Sequence, residues 1–234
     1  MAGSPIAVPT LTAQQVRAVD ELCSQRFRIS VAWLMEAAGW QLARHCRGRT
    51  AVVAGKGNNG GDVLAAARHL HRWGRLHSVA CTDRESLSGA AGDEADALEA
   101  LGIQIGDRPH LKDAQIVLDG LLGTGLSRSP EGRVAEWIEV VIRTRKRVVA
   151  ADVPSGLDAD AGVAHHPCVR AAVTVTLGLP KPGLLTGDGP NVAGEVWVAD
   201  IGVPFAAYEA VLGGPLPAHL FSMHDRVQLG ALRL

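Results

Sequence analysis

The chain has 234 residues, 47% of them hydrophobic, and a formal net charge of −1. That length accommodates one sizeable core and is short for two full domains. A balance so close to neutrality argues against nucleic acid as the main partner, because phosphate binding calls for a concentrated basic surface.

The opening segment, MAGSPIAVPT, has no charged region ahead of an apolar run, so no signal peptide is expected. No stretch of about 20 apolar residues predicts a membrane span. Residues 12–28 place Val16, Val19, Leu22 and Cys23 at helical spacing behind Thr12 as a cap. A second helix is expected from Ser30, carrying Leu34, Ala37, Ala38, Leu42 and Cys46. Strands are predicted at 50–54, 77–81, 116–118, 148–151, 173–177 and 195–199. Helices are predicted between them at 62–73, 90–101 and 134–142. The alternation implies right-handed βαβ crossovers and a mainly parallel sheet covered on both faces. Residues 178–194, rich in Gly and Pro, read as a functional loop because a strand follows at once. The chain is thus read as a single domain over 1–234, with 1–10 and 219–234 as tails. Cys23, Cys46, Cys81 and Cys168 are widely spaced with no C-x-x-C pair, and read as reduced packing residues of a cytoplasmic protein.

Open α/β sheets bind ligands where strands deliver their C-terminal ends, and three such ends carry unusual loops. The first is Gly55-Lys56-Gly57-Asn58-Asn59-Gly60-Gly61-Asp62, whose glycines allow backbone N–H groups to approach a ligand ahead of a helix start. It contains G-x-G-x-x-G, and Asp83 falls where a ribose-binding acid of a dehydrogenase would sit. Asn58, Asn59 and Asp62 nevertheless fill the loop with oxygen donors, and a carboxylate at the helix start competes with pyrophosphate. The second loop runs Asp119-Gly120-Leu121-Leu122-Gly123-Thr124-Gly125-Leu126-Ser127, and the third Asp152-Val153-Pro154-Ser155-Gly156-Leu157-Asp158. Each opens on an aspartate that ends an apolar strand; local capping and Asx-turns are the plain alternatives. Asn59, Asp119 and Ser155 together offer hard oxygen donors to a hard cation. No His/Cys spacing fits zinc, and His69-x-His71 and His165-His166 read as solvated or loop histidines.

These three strings, in this order, resemble the YjeF N-terminal family of NAD(P)H-hydrate epimerases. Supporting echoes are Leu34-Met35-Glu36-Ala37-Ala38-Gly39 and Leu179-Pro180-Lys181-Pro182-Gly183-Leu184, and the resemblance spans about residues 11–204. It implies a Rossmann-like three-layer α/β/α sandwich, a homodimer, and bound potassium (K+). It also implies the substrate: hydrated NADH or NADPH (NADHX, NADPHX), with the R and S hydroxyl forms at C6 interconverted for a separate dehydratase. By the same resemblance Asn58, Asn59, Gly60, Gly61 and Asp62 bind the hydrate, as do Gly123, Thr124, Gly125, Leu126, Ser127, Arg128 and Ser129. Asp152 touches the ring, and Asn59, Asp119 and Ser155 hold potassium. The chain departs from the family at Val63, where glycine is usual, and with the sequence ending at Leu234 no fused dehydratase is expected.

For chemistry, Asp152 is the expected acid/base, and Lys181 is expected to hold a water or a substrate phosphate, with a solvated loop lysine as the plain alternative. Two other functions are compatible with parts of the sequence. A nicotinamide-dependent dehydrogenase would explain G-x-G-x-x-G and Asp83 but lacks a recognisable substrate domain. A non-enzymatic binding or scaffold module of the same fold would tolerate Val63 but leaves the retained aspartates unexplained.

Overall fold

Eight strands build one sheet in this computed structural model, which describes residues 8–217 and 220–229. They are β1 (Thr50–Ala54), β2 (Leu76–Cys81), β3 (Ile105–Gly106), β4 (Ile116–Gly120), β5 (Arg147–Ala151), β6 (Val173–Leu177), β7 (Glu195–Ala199) and β8 (Arg226–Gln228). Their spatial order is β3-β2-β1-β4-β5-β6-β7-β8. Neighbours are parallel up to β7, and β8 closes the edge antiparallel to it. β1 and β4 are buried along their whole length, as strands covered on both faces must be.

The helices are α1 (Ala13–Gln25), α2 (Val31–His45), α3 (Asn58–Arg72), α4 (Gly89–Ala100), α5 (Gly132–Thr144), α6 (Gly189–Val192) and α7 (Phe205–Leu212). Met35, Leu42, Leu64 and Leu98, from α2, α3 and α4, pack with Val52, Leu118 and Val149 on one face of the sheet. Trp137, Ile138 and Val141 of α5 pack with Ala51, Val53 and Val117 on the other. The result is the expected three-layer sandwich with a mainly parallel sheet. Thr12 and Gln15 form a capping box at the start of α1, and the Ser30 hydroxyl accepts from Trp33 N at 3.3 Å to start α2.

Several boundaries differ from the sequence reading. Helix α3 begins at Asn58, four residues before the expected start, so more than half of the first loop is helical. Glycine's poor helix propensity hides this turn in the sequence. Packing explains the glycines. A Cβ on Gly60 would lie 2.0 Å from Gly55 O, and one on Gly61 2.6 Å from Met35 Cε. Residues 226–228, expected within a tail, form β8, and Val8 packs against the α1–α7 cluster. Positions 1–7, 218–219 and 230–234, including most of the expected N-terminal tail, lie outside the described residues. The 178–194 segment holds a 3-10 turn at Pro182–Leu184 and α6. His69, read as solvated, is buried between Trp40 and Trp73, with ring centroids 5.4 and 6.0 Å away.

Val63 faces the sheet: a Cβ on Gly120 would lie 2.5 Å from both of its methyl groups and 2.8 Å from Asn59 O. The absent side chain at Gly120 is what lets α3 sit on the end of β4 with valine in this position. Gly120→Ala is therefore expected to destabilise the fold by about 1–3 kcal/mol. Gly120→Ala combined with Val63→Gly should recover part of that loss, measured by urea unfolding; equal losses in both proteins would disprove the fit.

Candidate active site

Strand order reverses direction between β1 and β4, and a crevice opens at such a switch point beyond the C-terminal ends of the strands. Here it is a cavity of about 890 Å³. Asn58, Asn59, Gly60 and Asp62 line it from the start of α3, Gly123, Thr124 and Gly125 from the loop after β4, and Asp152 and Lys181 from farther along the chain. The free N–H groups at the start of α3 suit an anionic group entering beside them.

Asp152 follows β5 with φ +64°, in the left-handed region that costs a non-glycine residue about 1–2 kcal/mol. Aspartate is among the side chains that tolerate it best. Its carboxylate Oδ1 accepts from Lys181 Nζ, from Leu177 N at 3.0 Å and from Thr176 Oγ1 at 3.2 Å. No hydrogen bond among the described residues uses Oδ2, which leaves one oxygen for the cavity. Lys181 also donates to Leu177 O at 3.0 Å and is 1% exposed. A solvated loop lysine is thereby excluded. The two prolines flanking it fix the turn that carries it inward.

Two further carboxyls share this space. Burial pushes the Asp62 carboxyl well above the ordinary carboxylate range, and the neighbouring Asp152 and Asp20 charges push it further against the pull of Lys181. Burial also raises Asp20 of α1, with Lys181 opposing and Asp152 adding. The cavity thus holds one ion pair and, in Asp62, a carboxyl that keeps its proton at pH values where exposed carboxyls have lost theirs. Sequence reasoning missed Asp20 and Thr176. A charge directly beside Val19 in an apolar helical stripe was the available signal for the first; nothing marks the second.

Asp119 and Ser155 lie below the cavity wall, each fully buried. The Asp119 carboxylate accepts from Ser155 Oγ at 2.7 Å, Ser155 N at 3.0 Å and Leu121 N at 3.2 Å. Ser155 Oγ in turn accepts from Leu122 N at 2.9 Å, while Asn59 Nδ2 donates to Leu122 O at 2.7 Å. Leu122, which lines the cavity, therefore ties all three residues together. Two observations fit a cation here. Asn59 Oδ1 is buried and has no partner, and burial raises the Asp119 carboxyl with no cationic side chain contributing. One carboxylate among amide, carbonyl and hydroxyl oxygens suits a hard ion of low charge. No group of three or more His, Cys, Asp or Glu that could hold a metal occurs among the described residues.

Other expected binding residues stand apart. Gly61 is packed against Met35 and Ala91, inside the helix layer. Leu126, Ser127, Arg128 and Ser129 are not part of the cavity wall, and the last three are exposed. Asp83 does line the cavity, but its carboxylate is engaged by Ser86 N at 3.2 Å and by the Ser86 hydroxyl.

Residues 31–183 match the family model described as YjeF-related protein N-terminus. An NAD(P)H-hydrate epimerase from Dehalogenimonas lykanthroporepellens is 37% identical over 213 residues, covering 86% of this chain and 85% of the relative. A bifunctional NAD(P)H-hydrate repair enzyme Nnr from Moorella thermoacetica is 36% identical over 215 residues; the match spans 83% of this chain and 40% of that protein. The crystal structure of the yeast protein ynu0, YNL200c, superposes with a TM-score of 0.77 at 20% identity, covering 95% of this chain and 100% of the yeast chain. That likeness concerns the fold.

Proposed function

The chain belongs to the YjeF-related N-terminus family, and on that premise we propose that it epimerises hydrated NADH and NADPH at C6 of the reduced ring. The observation that carries the chemistry is the Asp152 carboxylate, held in a left-handed turn by buried Lys181 with one oxygen unengaged at the cavity.

In this reading the C6 hydroxyl takes the Asp62 proton, the C6–O bond breaks, and water leaves. The lone pair of the ring nitrogen fills the gap, giving a planar cationic ring that the Asp152 charge stabilises. Water then adds to the opposite face of C6, Asp152 takes its surplus proton, and passing that proton on to the Asp62 carboxylate restores the starting state. Lys181 acts by fixing Asp152, where the sequence reading had it hold a water or phosphate. The overall reaction consumes nothing, and a separate dehydratase removes one epimer. No helix among the described residues is long and apolar enough to cross a membrane.

The direct test mixes the purified R and S hydrates with the protein and follows each epimer by chromatography. Equilibration far above the spontaneous rate supports the assignment; unchanged spontaneous exchange removes it.

Asn59, Asp119 and Ser155 would hold potassium in this reading. The ion would supply a fixed positive charge that organises the loops after β1, β4 and β5. A carboxyl raised by burial stabilises the fold below its unfolded pKa, and that contribution is lost as pH rises through the folded value. An ion beside Asp119 offsets the loss. Saturating potassium should therefore stabilise the protein by about 1–3 kcal/mol, more at pH 8 than at pH 5. Lithium should do less. A melting temperature indifferent to potassium, or an equal gain in Asp119→Asn, would discredit the site.

A further inference from the structure

A second cavity, of about 380 Å³, is lined by Arg44, Arg47, Trp73, Arg75 and Arg226 and shares no residue with the first. Arg44 closes α2, while Arg47 and Arg75 stand just ahead of β1 and β2, at the sheet end remote from the loops that build the active site. Arg226 opens β8. We propose that this cavity binds the diphosphate group of a small phosphorylated metabolite.

Four guanidiniums border this open depression, and no carboxylate lines it. Asp225, paired with Arg44, neutralises one of them and leaves three positive charges around the space. Arg226 Nη1 is buried with no hydrogen-bond partner, a vacancy that costs free energy unless something accepts from it. Arg226 and Arg75 lie over Trp197 and Trp73, at 5.7 and 5.5 Å from the ring centroids, which holds their planes in place. His45 reports the local field independently: burial and then Arg226, Arg44 and Arg47 lower it to about 4. Forked guanidinium donors gathered around one space recognise phosphate oxygens in pairs. Three uncompensated charges match a diphosphate better than a single phosphate.

Inorganic pyrophosphate and ADP are the probes, titrated by calorimetry at low ionic strength, with histidine resonances followed by NMR. Pyrophosphate should bind, and its charge should raise the His45 titration. Arg75→Gln should weaken binding about tenfold through loss of one charge-assisted contact, and so should Arg47→Gln, an exposed position whose change leaves the packing intact. Both variants should epimerise normally. Binding of ADP as tight as pyrophosphate assigns the site to nucleotides; pyrophosphate alone binding assigns it to the free anion. Lack of pyrophosphate binding overturns the proposal. So does binding unaffected by either substitution, which places the anion in the catalytic cavity.

Discussion

Asp152→Asn should lower kcat for exchange of the R and S hydrates by about 10²–10⁴-fold, the usual contribution of a positioned proton-transfer group. Asparagine is the cleanest replacement because it keeps the size and tolerates φ +64°. What is lost is the negative charge beside the developing cationic ring and the oxygen that accepts a proton from water. Substrate binding, which we assign to the α3 start and the Gly123–Gly125 turn in the proposed function, should change far less, so the loss belongs in kcat. The pH profile separates the two carboxyls. In the proposed mechanism Asp62, raised by burial, must be protonated to donate, so the wild-type rate should fall as pH climbs through its elevated value. In Asp62→Asn that alkaline limb should vanish along with most of the rate. Full turnover by purified Asp152→Asn would take the acid/base role away from this residue.

The layers of this fold were legible because burial on both faces writes itself into sequence as short apolar runs, and β1, β6 and β7 fall on the predicted strands. The first turn of α3 was not, since its glycines serve close packing against Gly55 and Met35 and mask the helix. Nor was β8, whose three half-buried residues are too few for their alternation to mark a strand. Asp152 and Lys181 could each be picked out from their loops as site residues, whereas the pairing between them, 29 residues apart, could not. Pairing across such a distance is a property of the folded chain. The same holds for the arginine cavity: Arg44, Arg47, Arg75 and Arg226 are dispersed along a chain of net charge −1, and only the ends of α2, α3 and β8 gather them.

Lys181 sets the other large effect, and on stability before activity. Its side chain and that of Asp152 are 2% and 12% exposed. Removing one member of a buried pair leaves the other charge desolvated, at a cost of about 3–5 kcal/mol. Lys181→Met should reach that range in urea unfolding, and it should also free Asp152 to turn in a backbone conformation that few residues hold unaided. The decisive comparison is the double variant, Asp152→Asn with Lys181→Met. With neither charge present, the penalty disappears, and the double variant should be several kcal/mol more stable than the sum of the single losses implies. It should nevertheless remain as inactive as Asp152→Asn if, as proposed, the lysine acts through the aspartate. Additive stability losses would mean that the two side chains do not depend on each other. A further large drop in kcat from the double variant, beyond that of Asp152→Asn, would show that Lys181 handles substrate or water on its own account.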